Sequence, residues 1–261
     1  SDSALITVAS PKANASQIYQ YTFKDPLPDT PRVAIAVQDF SISGLGPHAF
    51  YVTPAQVSSS AIIFSFAWTN PLWSKLRFNF WASANSEIQL GYFAVPRLTV
   101  DNNAATVTTS LQTAFGASDK PVIRAFINGY MSWGDAIQLA VAPSNLEGTT
   151  LSIKLMFGKT TNVTAVWLSY IAFSTTASSF SAYGGSITKT AFSGSFDSDI
   201  TSSLYGKAYL LYGLTQISLT GQSPLAYSCS IQDYKLNANV EGVVDSFALM
   251  YIAAGVSPSQ L

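Results

Sequence analysis

The chain contains one histidine, His48, and one cysteine, Cys229, and these two residues limit the chemistry open to it. A Ser-His-Asp triad would have to use His48, which lies in the turn-rich stretch "GLGPHAF", and no G-x-S-x-G nucleophile elbow accompanies it. His48 therefore reads as a surface-loop residue. A zinc site built from one His and one Cys is too poor in ligands. Asp197 and Asp199 in "FDSDITSS", and Asp101 to Asn103 in "VDNN", could offer oxygens to calcium. Calcium takes about six to eight oxygen ligands, and neither stretch follows the EF-hand loop, so both read as turn residues. Cys229, in "LAYSCSI", reads as a small core residue or an interface thiol. With no acid–base pair and no nucleophile constellation, we expect no enzyme, no cofactor and no metal.

The remaining candidate chemistry is recognition. "WTNPLW" sets Trp68 and Trp73 around Asn70 in a predicted loop. Aromatic faces beside an amide suit a sugar, whose C–H groups stack while its hydroxyls hydrogen-bond. The same residues also suit packing, with Trp68 turned inward and Trp73 plugging a repeat or subunit interface. Asn14-Ala15-Ser16 and Asn162-Val163-Thr164 are glycosylation acceptor sequons. A lone cysteine allows no internal disulfide, which by itself favours a reducing compartment. The sequons and the Ser/Thr-rich composition favour the outside of a cell instead, and that is the location we expect. The start "SDSALI", without Met, reads as a processed N-terminus or as a boundary chosen for expression.

The elements that must position these residues are strands. Only 10% of the 261 residues are charged, against a usual ~25%, while 48% are hydrophobic. Either small polar residues or other subunits must cover the surface. Net charge is −1, with acidic and basic residues scattered singly, so nucleic acid is not an expected partner. The longest apolar stretch, "AIIFSFAW" from Ala61, is far short of the ~20 residues of a membrane-spanning helix.

Apolar residues alternate in short runs, as in Leu76, Phe78 and Phe80 against Lys75, Arg77 and Asn79, and Ser, Gly, Asn and Pro clusters separate the runs. This is the pattern of an all-β sandwich or barrel. In "TPRVAIAVQDFSIS" the alternation slips: Val33, Ile35 and Val37 share one parity, Phe40 and Ile42 the other. A bulge at Gln38-Asp39 would return both sets to one core.

The order of landmarks repeats. Pro31 and Pro121, each opening an apolar run, are 90 residues apart; "VTPAQVSSSAIIFSF" from Val52 and "VAPSNLEGTTLSIKL" from Val141 are 89 apart. The closing strands "LRFNFWAS" and "AVWLSYIAF" are again 90 apart. A fainter third set is "GKAYLLYGLTQISL", "SIQDYKLNANV" and "SFALMYIAA". The slip also recurs near Asn128-Gly129 and near Gly213 to Gln216. We expect three tandem repeats, at residues 1–88, 89–176 and 177–261.

The landmarks "TPRVAIAVQDFSIS", "VSSSAIIFSFAW", "LRFNFWAS" and the repeated "YIA" resemble the H-type lectin domain of snail-type agglutinins and of discoidin C-terminal regions. The resemblance implies a six-stranded antiparallel sandwich per repeat and, for three linked copies, a covalent pseudo-trimer. It also implies GalNAc or galactose sites at clefts between neighbours, built from an Arg and a Trp-His pair. Here Trp68 takes the Trp position, but Thr69 follows it and the Arg position falls near Val52 or Thr53. Phe157-Gly158 and Asn239-Val240 stand in the other two copies, so the family's sugar specificity does not carry over. The expected function is a non-enzymatic extracellular structural or adhesive subunit that self-associates into a homo-oligomer, fibre or surface layer. The alternatives are a lectin of altered specificity that binds glycans through Trp68 and Asn70, and a viral coat or pore-forming β protein.

Overall fold

The computed structural model describes residues 1–9, 16–42, 48–68, 75–98, 103–133, 137–158, 163–174, 180–199, 208–219, 225–232 and 235–256. These are strands and turns, with no helix among the described residues. The strands are β1 (Asp2–Ala9), β2 (Gln17–Thr22), β3 (Arg32–Ile42), β4 (His48–Val57), β5 (Ala61–Trp68), β6 (Lys75–Ser83), β7 (Ile88–Val95) and β8 (Ala104–Ser110). They continue as β9 (Val122–Ser132), β10 (Ile137–Glu147), β11 (Thr150–Phe157), β12 (Val163–Phe173), β13 (Phe180–Asp199), β14 (Ala208–Leu219), β15 (Leu225–Gln232) and β16 (Lys235–Val256).

Every pairing is antiparallel. In the first third of the chain β6 lies between β1 and β3, and β5 between β2 and β4. Next, β12 lies between β7 and β9, and β11 between β8 and β10. In the last third the long β16 does both jobs. Its C-terminal half lies between β13 and β14, and its N-terminal half between β13 and β15. Three further pairings link these groups: β4 with β9, β10 with β14, and β15 with β3. The result is a six-stranded sheet, β2-β5-β4-β9-β12-β7, and a ten-stranded sheet whose two halves share β13 and β16.

The slips in alternation are bulges. Register breaks between Val37 and Asp39 in β3, between Gly129 and Ile127 in β9, and between Leu214 and Gln216 in β14. Each break leaves a buried polar residue: Gln38, Asn128 and Thr215. Two of the three anchor neighbouring strands. Asn128 Nδ2 donates to Ser169 Oγ (2.7 Å), which also accepts from the Ile35 amide (3.0 Å), and Thr215 Oγ1 donates to the Ala248 carbonyl (3.3 Å). A second pair of breaks, Pro54 to Gln56 in β4 and Pro143 to Asn145 in β10, falls where proline cannot donate to the ladder.

Strands such as β11, "TLSIKLMF", bury alternate residues and expose the rest, as a sheet with one wet face requires. β3, β6, β9 and β12 are buried on both faces. Val33, Ile35 and Val37 enter a large core with Phe64, Phe78, Phe80 and Leu168. Ala34 and Ala36, on the opposite face, enter a second core with Trp81, Phe126, Ile171, Leu211 and Ile252. This second core explains the unbroken apolar run of the opening strand. It also corrects the one-sided reading of β6, since Asn79 is buried along with Phe78 and Phe80.

Candidate functional site

On one face of β13, β16 and β15 the sequence places two rows of short polar side chains. Register sets Ser195 beside Asn239 beside Ser228, and Asp197 beside Asn237 beside Ser230. Alternation points Ala238 and Cys229, between them, into the core. Because all six outward side chains are small, the face is hollowed into a depression of about 450 Å³. Ser195 Oγ donates to Asn239 Oδ1 (2.7 Å), and Asn237 Nδ2 to the Lys235 carbonyl (3.2 Å). Lys235 Nζ pairs with Asp197 at 3.1 Å, both exposed, an arrangement worth at most about 1 kcal/mol. The corresponding rows elsewhere each include a longer side chain, Ile18 or Lys154. On β2, β5 and β4 the row is Ile18, Ser65 and Thr53; on β8, β11 and β10 it is Thr106, Lys154 and Ala142. The hollow can exchange hydrogen bonds with a polar ligand but holds no nucleophile–base pair.

Beneath it lies a buried polar tie. Arg77 Nη2 bonds Asp39 Oδ1 at 2.9 Å and donates to the Cys229 carbonyl at 2.9 Å, joining β6 and β3 to β15. Burial pushes the Cys229 thiol from 9.0 up to about 12, a rise that the nearby Asp39 reinforces. Tyr227 beside it is held well above its ordinary value, again by burial first. The thiol is thus protonated at neutral pH, and the thiolate that a nucleophilic cysteine needs is disfavoured there. A smaller groove of about 280 Å³ runs where β10 meets β14, between Gln138, Met156 and Gln216.

The sheet edges form the third feature. β2 and β7 end the six-stranded sheet, and neither contains Lys, Arg, Asp, Glu or Pro. Ile18 and Tyr19 on β2 and Tyr92 on β7 are 73%, 41% and 40% exposed. Leu5, on edge strand β1, is exposed too. Natural sheets usually blunt such edges with charge, proline or a covering segment.

Trp68 is the last residue of β5, paired with Phe50; its side chain, with Asn70 and Trp73, lies outside the described residues. Phe157 and Val240, paired with Leu139 and Tyr227 at the same ladder position, are buried. The sequons' Asn14 and Asn162 also lie outside the described residues. His48 is the first residue of β4, paired with Ser132 in the β4–β9 ladder, and so not a loop residue. Asp197 and Asp199 are strand residues of β13 rather than turn residues, since past a register shift between Phe192 and Gly194 that strand stays paired with β16 as far as Asp199. Asn103, of the "VDNN" stretch, does sit in a turn, with φ 62°. Cys229 is a core residue. The polar hollow was missed, although its signal is visible as small polar residues at alternate positions in "SGSFDSD", "SCSI" and "KLNANV". Among the described residues no group of His, Cys, Asp and Glu could hold a metal ion, and no helix is long and apolar enough to cross a membrane.

Comparison with protein-family models, with curated proteins and with solved structures finds no match to this chain.

Proposed function

We propose that this chain is a non-enzymatic, extracellular structural or adhesive subunit built from three tandem H-type-lectin-like sandwiches and made to self-associate. The repeat reading is supported by the pairings. In each of the first two thirds a closing strand lies between two partners and a middle strand between two others, and in the last third the two halves of β16 take both places, with β13 beside each. The three linking ladders have four residue pairs each and start at matching places, His48 with Ser132, Ile137 with Leu219 and Leu225 with Ile42. Each third thus lends a strand to the next, and the last returns to the first. A cycle of this kind supports reading the chain as a pseudo-trimer, with covalent linkage replacing concentration-dependent association.

The observation that carries the self-association is the pair of uncharged, proline-free edge strands bearing Ile18, Tyr19 and Tyr92. A net charge of −1 adds almost no repulsion between copies. Sedimentation velocity over rising concentration, with electron microscopy of the native material, tests the reading. Growth into fibres or layers is the expected result; a monodisperse monomer at high concentration overturns it.

The second reading, a lectin of altered specificity, is favoured by the hollow of Ser195, Asp197, Asn237 and Asn239. Its test is a glycan array with Asn239→Leu and Trp68→Ala controls. A signal lost in either variant supports this reading, and a silent parent protein rules it out.

A further inference from the structure

Resting on the self-association reading, we infer that the partner is a second copy of this chain and that the contact is directional, with the β2 edge of one copy against the β7 edge of the next. The six-stranded sheet is antiparallel throughout and has an even number of strands, so its two edge strands run in opposite directions. A second copy in the same orientation therefore brings β2 to β7 antiparallel and continues the sheet across the contact. Such a head-to-tail contact leaves one free β2 and one free β7 at the ends of every open assembly, and repeats into a filament wherever the rotation between copies does not close a ring.

The open parts of the two edges match in length and chemistry. At the start of β7, Gln89 Nε2 donates to the Thr113 carbonyl (2.7 Å), and its Oε1 accepts from the Gln112 amide (2.8 Å). That clamp holds the segment after β8 against the Ile88–Leu90 end of β7, where all three residues are buried. From Gly91 to Val95 the strand is exposed or half-buried. β2 is six residues long, with Ile18, Tyr19 and Gln20 exposed. Each side thus offers an extended segment with aromatic and aliphatic side chains and no charge. The other edges fit less well. β8 exposes Thr106, Thr108 and Ser110, β13 carries Lys189, Asp197 and Asp199, and β1 carries Asp2 beside its exposed Leu5.

The experiment uses the full chain with Ile18→Lys and Tyr92→Lys, each changed at an exposed side chain and checked by circular dichroism. Gln20→Lys and Ala94→Lys replace either variant that loses its β signal. In sedimentation velocity the parent should form chains that lengthen with concentration, each single variant should stay monomeric, and an equal mixture of the two should give a dimer and stop there. The mixture keeps one intact β7 and one intact β2, which permit a single contact. A parent that remains monomeric overturns this inference and the self-association reading together. Variants that assemble like the parent overturn the inference alone and move the contact to another face. A variant that halts at a homodimer also overturns it, by showing an edge that pairs with itself.

Discussion

Arg77 is the residue on which the β3–β15 junction turns. Its side chain is about one-fifth exposed, while the Asp39 side chain it holds is 1% exposed. Removing the cation leaves a buried carboxylate without its ion-pair partner, a change that typically costs about 3 kcal/mol or more. Arg77→Met should therefore lower urea stability by about that amount, and Asp39→Asn added to it should recover part of the loss. Cys229 sets an alkaline limit. The folded thiol keeps its proton to about pH 12, whereas an unfolded one releases it near 9.0. Between those values the unfolded state binds fewer protons, so stability is level below about pH 9 and falls as pH rises above it. Cys229→Ala should move the start of that fall toward 10, the ordinary value of the buried Tyr130, whose burial raises its own pKa. Melting temperature followed from neutral to alkaline pH would show the displacement. The alternation around Cys229 already marked it as a core residue, but nothing local to "SCSI" announces that its carbonyl receives Arg77 from 152 positions away.

Among the elements, the bulged strands decide how the groups of strands meet. Gly129, just past the β9 bulge, faces β4 so closely that a Cβ there would lie within 2.5 Å of Tyr51 Cα and closer still to the Phe50 carbonyl oxygen. Both are backbone atoms and cannot rotate away. Gly129→Ala should force the β4–β9 ladder apart and cost about 2 to 3 kcal/mol in chemical denaturation, the usual scale of overpacking. Gly129→Val should cost more. Gly116, where nothing lies within 4 Å of an added Cβ, is the neutral control. The slip at Gln38-Asp39 could be read as a bulge because parity is a local property of the chain. Its partner strand could not be read, since pairing depends on what else the fold brings alongside. For the same reason Asp197 and Asp199 resembled turn residues: acidic and small polar residues are common in turns, and only the long β16 partner makes them strand.

For the whole molecule, the two cores and the three linking ladders argue for a single cooperative unit. The second core draws on β3, β6, β7, β9, β12, β14 and β16, so no third of the chain can unfold without opening it. Its side chains differ around the center: Ala36, Phe126 and Leu211 contribute very different volumes, and Gly213 leaves room against Ala36. Unfolding followed by far-ultraviolet circular dichroism and by tryptophan fluorescence, which includes the buried Trp81, should give coincident transitions. Separated transitions would mean that the thirds behave as independent domains. The sequence by itself determined the all-β class, the bulges and the order of strand landmarks, because alternation, turn residues and spacing act over a few neighbors. Only the tertiary structure decided that β3 is buried on both faces, that six small polar residues from three strands line one hollow, and that β2 and β7 are left as edges. These depend on which distant strands lie side by side, and backbone hydrogen bonding, which is the same for nearly every residue type, leaves little trace of that choice in the sequence.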